Sequence, residues 1–229
     1  DRTRRPRLDA PTIEAIEGLP GVEFVTPVET LRTPGELYLG KYKGYASIWA
    51  VEPVFLEGLT VVSGTLDLAR NEIVLGARIA ESFRDPSTEL PGMGRAPVDA
   101  DEQPVTSADL IGATVTLYVQ RTNREDGNVV LQPLRLKVAG ILEPSGWRHD
   151  FSVYLSLRDA VQLNSWIMGR RRDPAREGYA ELIVRTSTLG QTLEVEEAVA
   201  DLGFMVYSER QQVEQSNAFF ASLQAIMGG

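Results

Sequence analysis

Cysteine is absent from the 229-residue chain. That excludes disulfides, thiolate metal sites, iron–sulfur clusters and a cysteine nucleophile. Histidine occurs once, as His149, which excludes a multi-histidine zinc site and two-histidine iron chemistry. No apolar run approaches the ~20 residues that a membrane-crossing helix needs, and no signal-peptide pattern is visible. Basic charge is scarce: 23 Lys and Arg stand against 32 Asp and Glu, a formal charge of −9. A general nucleic-acid binder wants a basic face, so no nucleic-acid partner is expected. The G-x-S-x-G, H-E-x-x-H, Walker A and dinucleotide glycine patterns are all missing.

What is present is ordinary for a folded chain. Hydrophobic residues make up 43% and charged residues 24%, close to soluble globular proteins and far from a disordered composition. The length suits one large domain or two small ones and can bury a core without staples. The chain begins at Asp1 rather than Met. Taken literally it reads as soluble, and the start also fits a mature product or an excised domain.

The opening DRTRRPRL carries Arg2, Arg4, Arg5 and Arg7. It reads either as a solvated end or as the basic flank of a membrane helix. Pro11 and Gly18 bracket a short helix over 9–18, and alternation predicts a strand within 19–31. Residues 33–44, with Pro34, Gly35, Gly40 and Gly44, read as a turn-rich link. Further strands are expected at 46–51 and 71–76, with 53–70 irregular or briefly helical and one or two helical turns at 77–83. Residues 84–108 change character, with Pro86, Pro91, Pro97 and Pro104 among few large apolar groups, and predict a long surface loop.

Segments 109–120 and 128–142 alternate as strands do, and Asp126-Gly127 between them predicts a hairpin. Pro133 within the second strand implies an edge or a bulge. A strand and then a helix are expected over 151–163, the helix started by Ser156 and Asp159. A basic link follows at 169–178, then a strand at 179–186. Thr188 and Gln191 start a helix whose face carries Val195, Ala198, Val199 and Leu202. Gly203 ends it, and 204–209 is expected as a strand. The pair 13–29 and 195–211 echo each other as helix, glycine break and strand, by chance or as a pseudo-repeat closing one domain from both chain ends. The last segment, 211–227, predicts a helix that is apolar around Phe219, Phe220, Leu223, Ile226 and Met227. It reads as a docked terminal helix or as one cut short before a membrane span.

Candidate chemistry is thin. Asp99, Asp101 and Glu102 suggest a calcium loop, but the glycine and glutamate that an EF-hand requires are absent. His149 beside Asp150 would be the only histidine for a catalytic triad, and reads more simply as a residue of a charged turn. The 32 acids offer many carboxylate pairs, and nothing singles one out. Arg170, Arg171 and Arg172 read as a solvated run, or as a contact for phosphate or an acidic partner. Trp49, Trp147 and Trp166 read as packing. No catalytic residue, cofactor site or metal site is assigned, and the residues alone describe an α+β domain without visible catalytic machinery.

The order of patterns says more than any one of them. LPGVEFVTPV (19–28), Ser63-Gly64, NEIVLGARIA (71–80), DLIGATVTLYV (109–119), LRLKVAGIL (134–142), SVYLSLRDAVQL (152–163) and YAELIVRT (179–186) succeed one another along nearly the whole chain. This succession resembles the extracytoplasmic core domain of MacB-like ABC transporter permeases, a group that includes FtsX- and LolC/LolE-type subunits. The resemblance implies an α+β fold with a porter-like βαβ subdomain formed by both chain ends, 1–60 with 171–229, and an inserted β-rich, sabre-like subdomain, 61–170, bearing the loop at 84–108. It implies no enzyme activity in this chain. Its partners would be a cytoplasmic ABC ATPase reached through the membrane domain, a second permease copy and an extracytoplasmic adaptor or effector protein. The domain would lie outside the cytoplasm on a cell-membrane protein. Phe219, Phe220, Leu223, Ile226 and Met227 would form the membrane-proximal helix, and hinges are expected near 58–70 and 169–178. A free-standing extracytoplasmic ligand- or protein-binding module is the alternative, and a carboxylate hydrolase a third reading.

Overall fold

The structure, a computed structural model, describes residues 6–32, 34–88, 104–123, 127–145 and 148–207. In chain order its elements are α1 (Ala10–Glu17), β1 (Val22–Thr30), β2 (Glu36–Leu39), β3 (Tyr42–Tyr45), β4 (Ser47–Val51) and α2 (Pro53–Leu56). Then come β5 (Val61–Gly64), β6 (Glu72–Leu75), a 3₁₀ turn at Ile79–Ser82, α3 (Ser107–Leu110), β7 (Thr114–Thr122) and β8 (Val129–Leu142). The chain continues with β9 (Ser152–Ser156), α4 (Leu157–Met168), α5 (Pro174–Glu177), β10 (Glu181–Thr186) and α6 (Leu189–Asp201). The class is α+β, as expected. By contact, the chain forms two compact units: 1–25 with 184–229, and 26–183.

In the first unit the helix caps follow the sequence signals. Asp9 Oδ1 accepts the Thr12 N–H at 3.3 Å, and Pro11 sits in the first turn of α1. Thr188 Oγ1 accepts the Gln191 N–H at 3.4 Å and starts α6. Val195 and Val199, one turn apart, are the buried face of α6. The Arg185 guanidinium lies 4.5 Å over the Phe24 ring. One expectation fails here. Of the strand expected over 204–209, Phe204–Tyr207 pair with no strand among the described residues, Met205 and Tyr207 are exposed, and 208–209 lie outside those residues. Alternating apolar residues favour a strand only where a ladder partner exists.

The second unit is a mixed sheet whose central strands are buried on both faces. Strand neighbours run β1-β4-β9-β6-β8-β7-β2-β3, with β5 added on β8. β4 and β9 are parallel from Ser47↔Ser152 to Val51↔Ser156, and β6 and β8 are parallel as well. Strands buried on both faces read as continuous apolar runs, and alternation splits those runs between two cores. Ile48, Ala50, Ile73, Leu75, Val153 and Leu155 point to one core, which α4 covers with Ala160 and Leu163. Val51, Val74 and Tyr154 point to the other, covered by Phe55, Leu56, Leu59, Leu66 and Leu68.

The stretch 33–44 is not a link. Glu36–Leu39 and Tyr42–Tyr45 form an antiparallel hairpin, with Gly40 at φ 58° in the turn. Four glycines and prolines hide it in the sequence, yet Leu37 and Leu39 alternate inward as a strand requires. The boundaries between units also differ from the 60/61 and 170/171 joins that the resemblance implies. Residues 26–60 pair with 61–170 through β4–β9 and β2–β7, so by contact they share one unit.

Candidate partner-binding arm

The β7–β8 hairpin is the longest pairing in the second unit, running unbroken from Thr114↔Lys137 to Thr122↔Val129. Its base is inside the sheet. β2 covers the outer side of β7 at Thr116 and Leu117, while β6 and β5 cover β8 from Lys137 onward. Beyond those points, 118–122 and 129–133 pair only with each other among the described residues. They form a two-stranded arm.

Period-two alternation gives the hairpin two unlike sides at its base, while at the tip Val130, on the core-facing side, is 50% exposed as well. Val115, Leu117, Val119 and Leu136 point into the core and are fully buried. Tyr118, Gln120, Leu131 and Pro133 point the other way. Tyr118 is 39% exposed, Val129 57% and Leu131 59%. Single exposed apolar residues need no account, and this contiguous row makes the arm the candidate site.

The β2–β3 hairpin extends this outer side. Tyr38 packs edge-to-face on Tyr118, with ring centroids 5.1 Å apart at 89°. Lys43 lies 4.9 Å from the Tyr45 ring and 5.8 Å from the Tyr38 ring, and its ammonium is 2.9 Å from Glu36 Oε1. The hydrogen bond to Tyr45, and then the Glu36 carboxylate, hold Lys43 above the ordinary lysine range. Burial raises the Tyr38 hydroxyl, which donates to Glu36 Oε2 at 3.3 Å. Glu36 and Lys43 pair on this face, which is aromatic around Tyr38 and Tyr118. A groove of about 360 Å³ runs along it, lined by Pro34, Glu36, Tyr38, Tyr118, Gln120 and Leu131.

Pro133 decides how this arm can be approached. Val138 N–H donates toward β7 and Lys137 N–H toward the β6 side. Alternation therefore aims the backbone of 129, 131, 133 and 135 at the uncovered edge. Proline lacks an N–H there at no cost to the ladder, and it interrupts the edge as a template for another strand. The edge expected from Pro133 is present, with no bulge at that residue. What the arm offers is its face.

The other candidates fall differently. His149 is half-buried between Phe55 and Tyr154, and its Nδ1 shares a hydrogen bond with the Tyr154 hydroxyl. Asp150 is buried and accepts the Ser145 N–H and hydroxyl at 2.8 and 3.0 Å. These contacts describe packing of the segment after β8. Trp49 and Trp166 each pack against a core, and Trp147 lies outside the described residues. Phe219, Phe220, Leu223, Ile226 and Met227 also lie outside them, as do Asp99, Asp101 and Glu102. The three arginines are split: Arg171 is exposed, Arg170 pairs with Glu177 at 2.7 Å, and Arg172 is buried. Of the links expected as hinges, residues 59–68 pack on the second core and supply β5, and Arg172 within 169–178 bonds Ser165 of α4 and Glu29 of β1.

Residues 2–202 match the model of the MacB-like periplasmic core domain. The chain belongs to the MacB-like periplasmic core domain family. The resemblance read from the order of sequence patterns is thereby borne out. The family is that of the periplasmic core domains of MacB-like ABC transporter permeases, and it implies a transporter with an ATPase partner. The domain thus belongs to the part of a membrane transporter that lies outside the cytoplasm. Among the described residues no helix is long and apolar enough to cross a membrane.

Solved structures similar to this MacB-like domain include the extracellular domain of the noncanonic ABC-type transporter YknZ from Gram-positive bacteria. It is 12% identical over 82% of this chain and 78% of that one, with a TM-score of 0.47. The periplasmic region of MacB from Actinobacillus actinomycetemcomitans is 14% identical over 84% and 86%, with a TM-score of 0.37. Comparison with curated proteins returns no match.

Proposed function

We propose that this MacB-like domain couples ATP-driven motion of membrane helices to a protein partner outside the cytoplasm, and that the β7–β8 arm is its contact. In this reading the unit built from both chain ends is the porter-like part. The strands that carry the arm belong to the inserted β-rich part. Phe219, Phe220, Leu223, Ile226 and Met227 approach the second membrane span, and two permease copies pair in the whole transporter. ATP is hydrolysed by a cytoplasmic ATPase, and this domain passes the stroke outward.

One observation supports the arm as the contact: the row Tyr118, Val129 and Leu131 stays exposed beside the Tyr38–Tyr118 pair and its groove. Exposed apolar rows of this kind are selected against on surfaces that meet only water. Tyrosine suits such a contact because a large ring is fixed by few rotatable bonds.

The domain has no cysteine, so once any cysteines elsewhere in the transporter are replaced, a single introduced cysteine reports one position. Gln120→Cys, carrying an environment-sensitive label, is placed in the full permease with its ATPase in membranes. The label signal is expected to change between the ATP-free and ATP-trapped states when the cell envelope is present. A signal indifferent both to nucleotide and to the envelope overturns the proposal.

A further inference from the structure

Two chain crossings connect the unit 26–183 to the rest of the molecule, one at Thr26 in β1 and the other at Ile183 in β10. Just inside both crossings lies a buried polar cluster. Glu29 on β1 is 1% exposed, and its Oε2 takes the Arg172 Nη1 in an ion pair. Arg172 Nη2 donates to the Gly178 carbonyl at 2.8 Å, and the Arg172 N–H donates to Ser165 Oγ at 3.0 Å. Asn164, fully buried on α4, closes the set. Its Nδ2 donates to Glu29 Oε2 at 3.4 Å and to the Thr30 carbonyl at 3.1 Å, and its Oδ1 accepts the Arg32 N–H at 3.0 Å. The fork thus ties the end of β1 to the link that leads into β10, and Asn164 with the Arg172 N–H ties both to α4.

Buried ion pairs are weak contributors to net stability, because desolvation offsets their attraction, and apolar residues of the same volume do as well or better. Stability alone is therefore a poor reason for a charge here. Direction is a better one. The guanidinium fork bonds two acceptors at fixed angles, so it resists sliding of β1 past the 169–178 link. Apolar side chains in its place would slide.

We infer that Glu29 and Arg172 form a mechanical clamp that makes the two chain crossings bear a pull together. The inference deepens the force-coupling role proposed above and rests on it for its purpose, but the clamp itself is a property of this chain. Its test needs no transporter.

The full chain is stretched between its two ends in a single-molecule force experiment. Opening of residues 26–183 appears as a length step of about 550 Å. The double variant Glu29→Met with Arg172→Met is expected to keep the chemical stability of wild type. Under force its opening rate is expected to rise about tenfold, because the pull loads the fork between Glu29 and the Gly178 carbonyl directly and apolar side chains in its place do not resist sliding. Arg172→Lys keeps the charge without the fork and is expected to fall between the two. A double-methionine variant that opens at the wild-type force, or an Arg172→Lys variant with wild-type mechanics, overturns the clamp. If the methionine pair does not fold, the lysine variant decides alone. Failure here would leave the labelling experiment on the arm untouched, so the two readings fail separately.

Discussion

Glu29 and Arg172, 143 positions apart in the chain, meet as a buried ion pair whose carboxylate bonds gather on one oxygen, Oε2. Glu29 Oε1 is buried with no partner among the described residues. Removing one member leaves the other charged and dry. Arg172→Met alone is therefore expected to destabilise the protein by about 3–5 kcal/mol, more than removing both charges. Urea unfolding of the single and double variants measures the difference. A single variant as stable as the double would show that Glu29 does not depend on the guanidinium.

Leu131 tests the arm without touching the core. It is exposed, and Leu131→Asp is expected to change folding stability by no more than about 0.5 kcal/mol, while abolishing the nucleotide-dependent signal of the labelled Gln120→Cys permease. Retention of the full signal with Leu131→Asp would remove the apolar row from the contact.

Pro133 tests the edge. Pro133→Thr restores an N–H that points away from β7 and suits a strand, so it is expected to increase self-association, read by sedimentation velocity. A sedimentation profile unchanged at high concentration would show that the edge is guarded by something else.

Gly76 lies where the chain leaves β6 beneath the 148–152 segment. Its N–H donates to the Ser152 carbonyl at 2.8 Å. A Cβ there would stand 2.0 Å from the His149 carbonyl oxygen and 2.5 Å from that of Asp150. Both are backbone atoms and cannot swing aside, so Gly76→Ala is expected to cost about 1–3 kcal/mol. Thermal unfolding would register this as a clear loss, and a variant as stable as wild type would show that the backbone yields freely.

Acid should weaken the 169–178 link. The hydrogen bond from Arg170, followed by the Asp173 N–H, holds the Glu177 carboxyl at about 2, against an ordinary 4.5. The folded value is depressed, so the contribution is complete above about 4.5 and is lost as the pH falls toward about 2. Asp85, held at about 2 by Lys41 and Ser87, titrates in the same direction. Glu177→Gln is expected to flatten the fall in urea midpoint across that window without removing it. A variant with the wild-type acid limb would show that the pairing adds nothing.

Local signals were legible wherever the physics is local. Ser156 and Thr188 cap α4 and α6 as their spacing predicts, because a cap needs only a side-chain oxygen and an N–H three residues on. The β7–β8 hairpin followed from two alternating runs and a turn. The β2–β3 hairpin was missed because glycine and proline signal a turn more loudly than four-residue strands signal pairing. Its identity depends on β7, far along the chain, which covers Leu37 and Tyr38. The arm was invisible for the same reason: whether Leu131 is core or surface depends on which strands stop short of it.

By itself the sequence determined the class, the excluded chemistries and the family, since composition, missing motifs and the order of apolar patterns are written along one dimension. Only the tertiary structure decided which arginine of the 170–172 run is buried. Their chemistry is identical, and burial comes from Glu29, Asn164 and Gly178 meeting at one point. Likewise only the fold made Tyr38 and Tyr118 neighbours and left Leu131 beside them in water. Exposure belongs to the arrangement of strands, and no single stretch of sequence contains it.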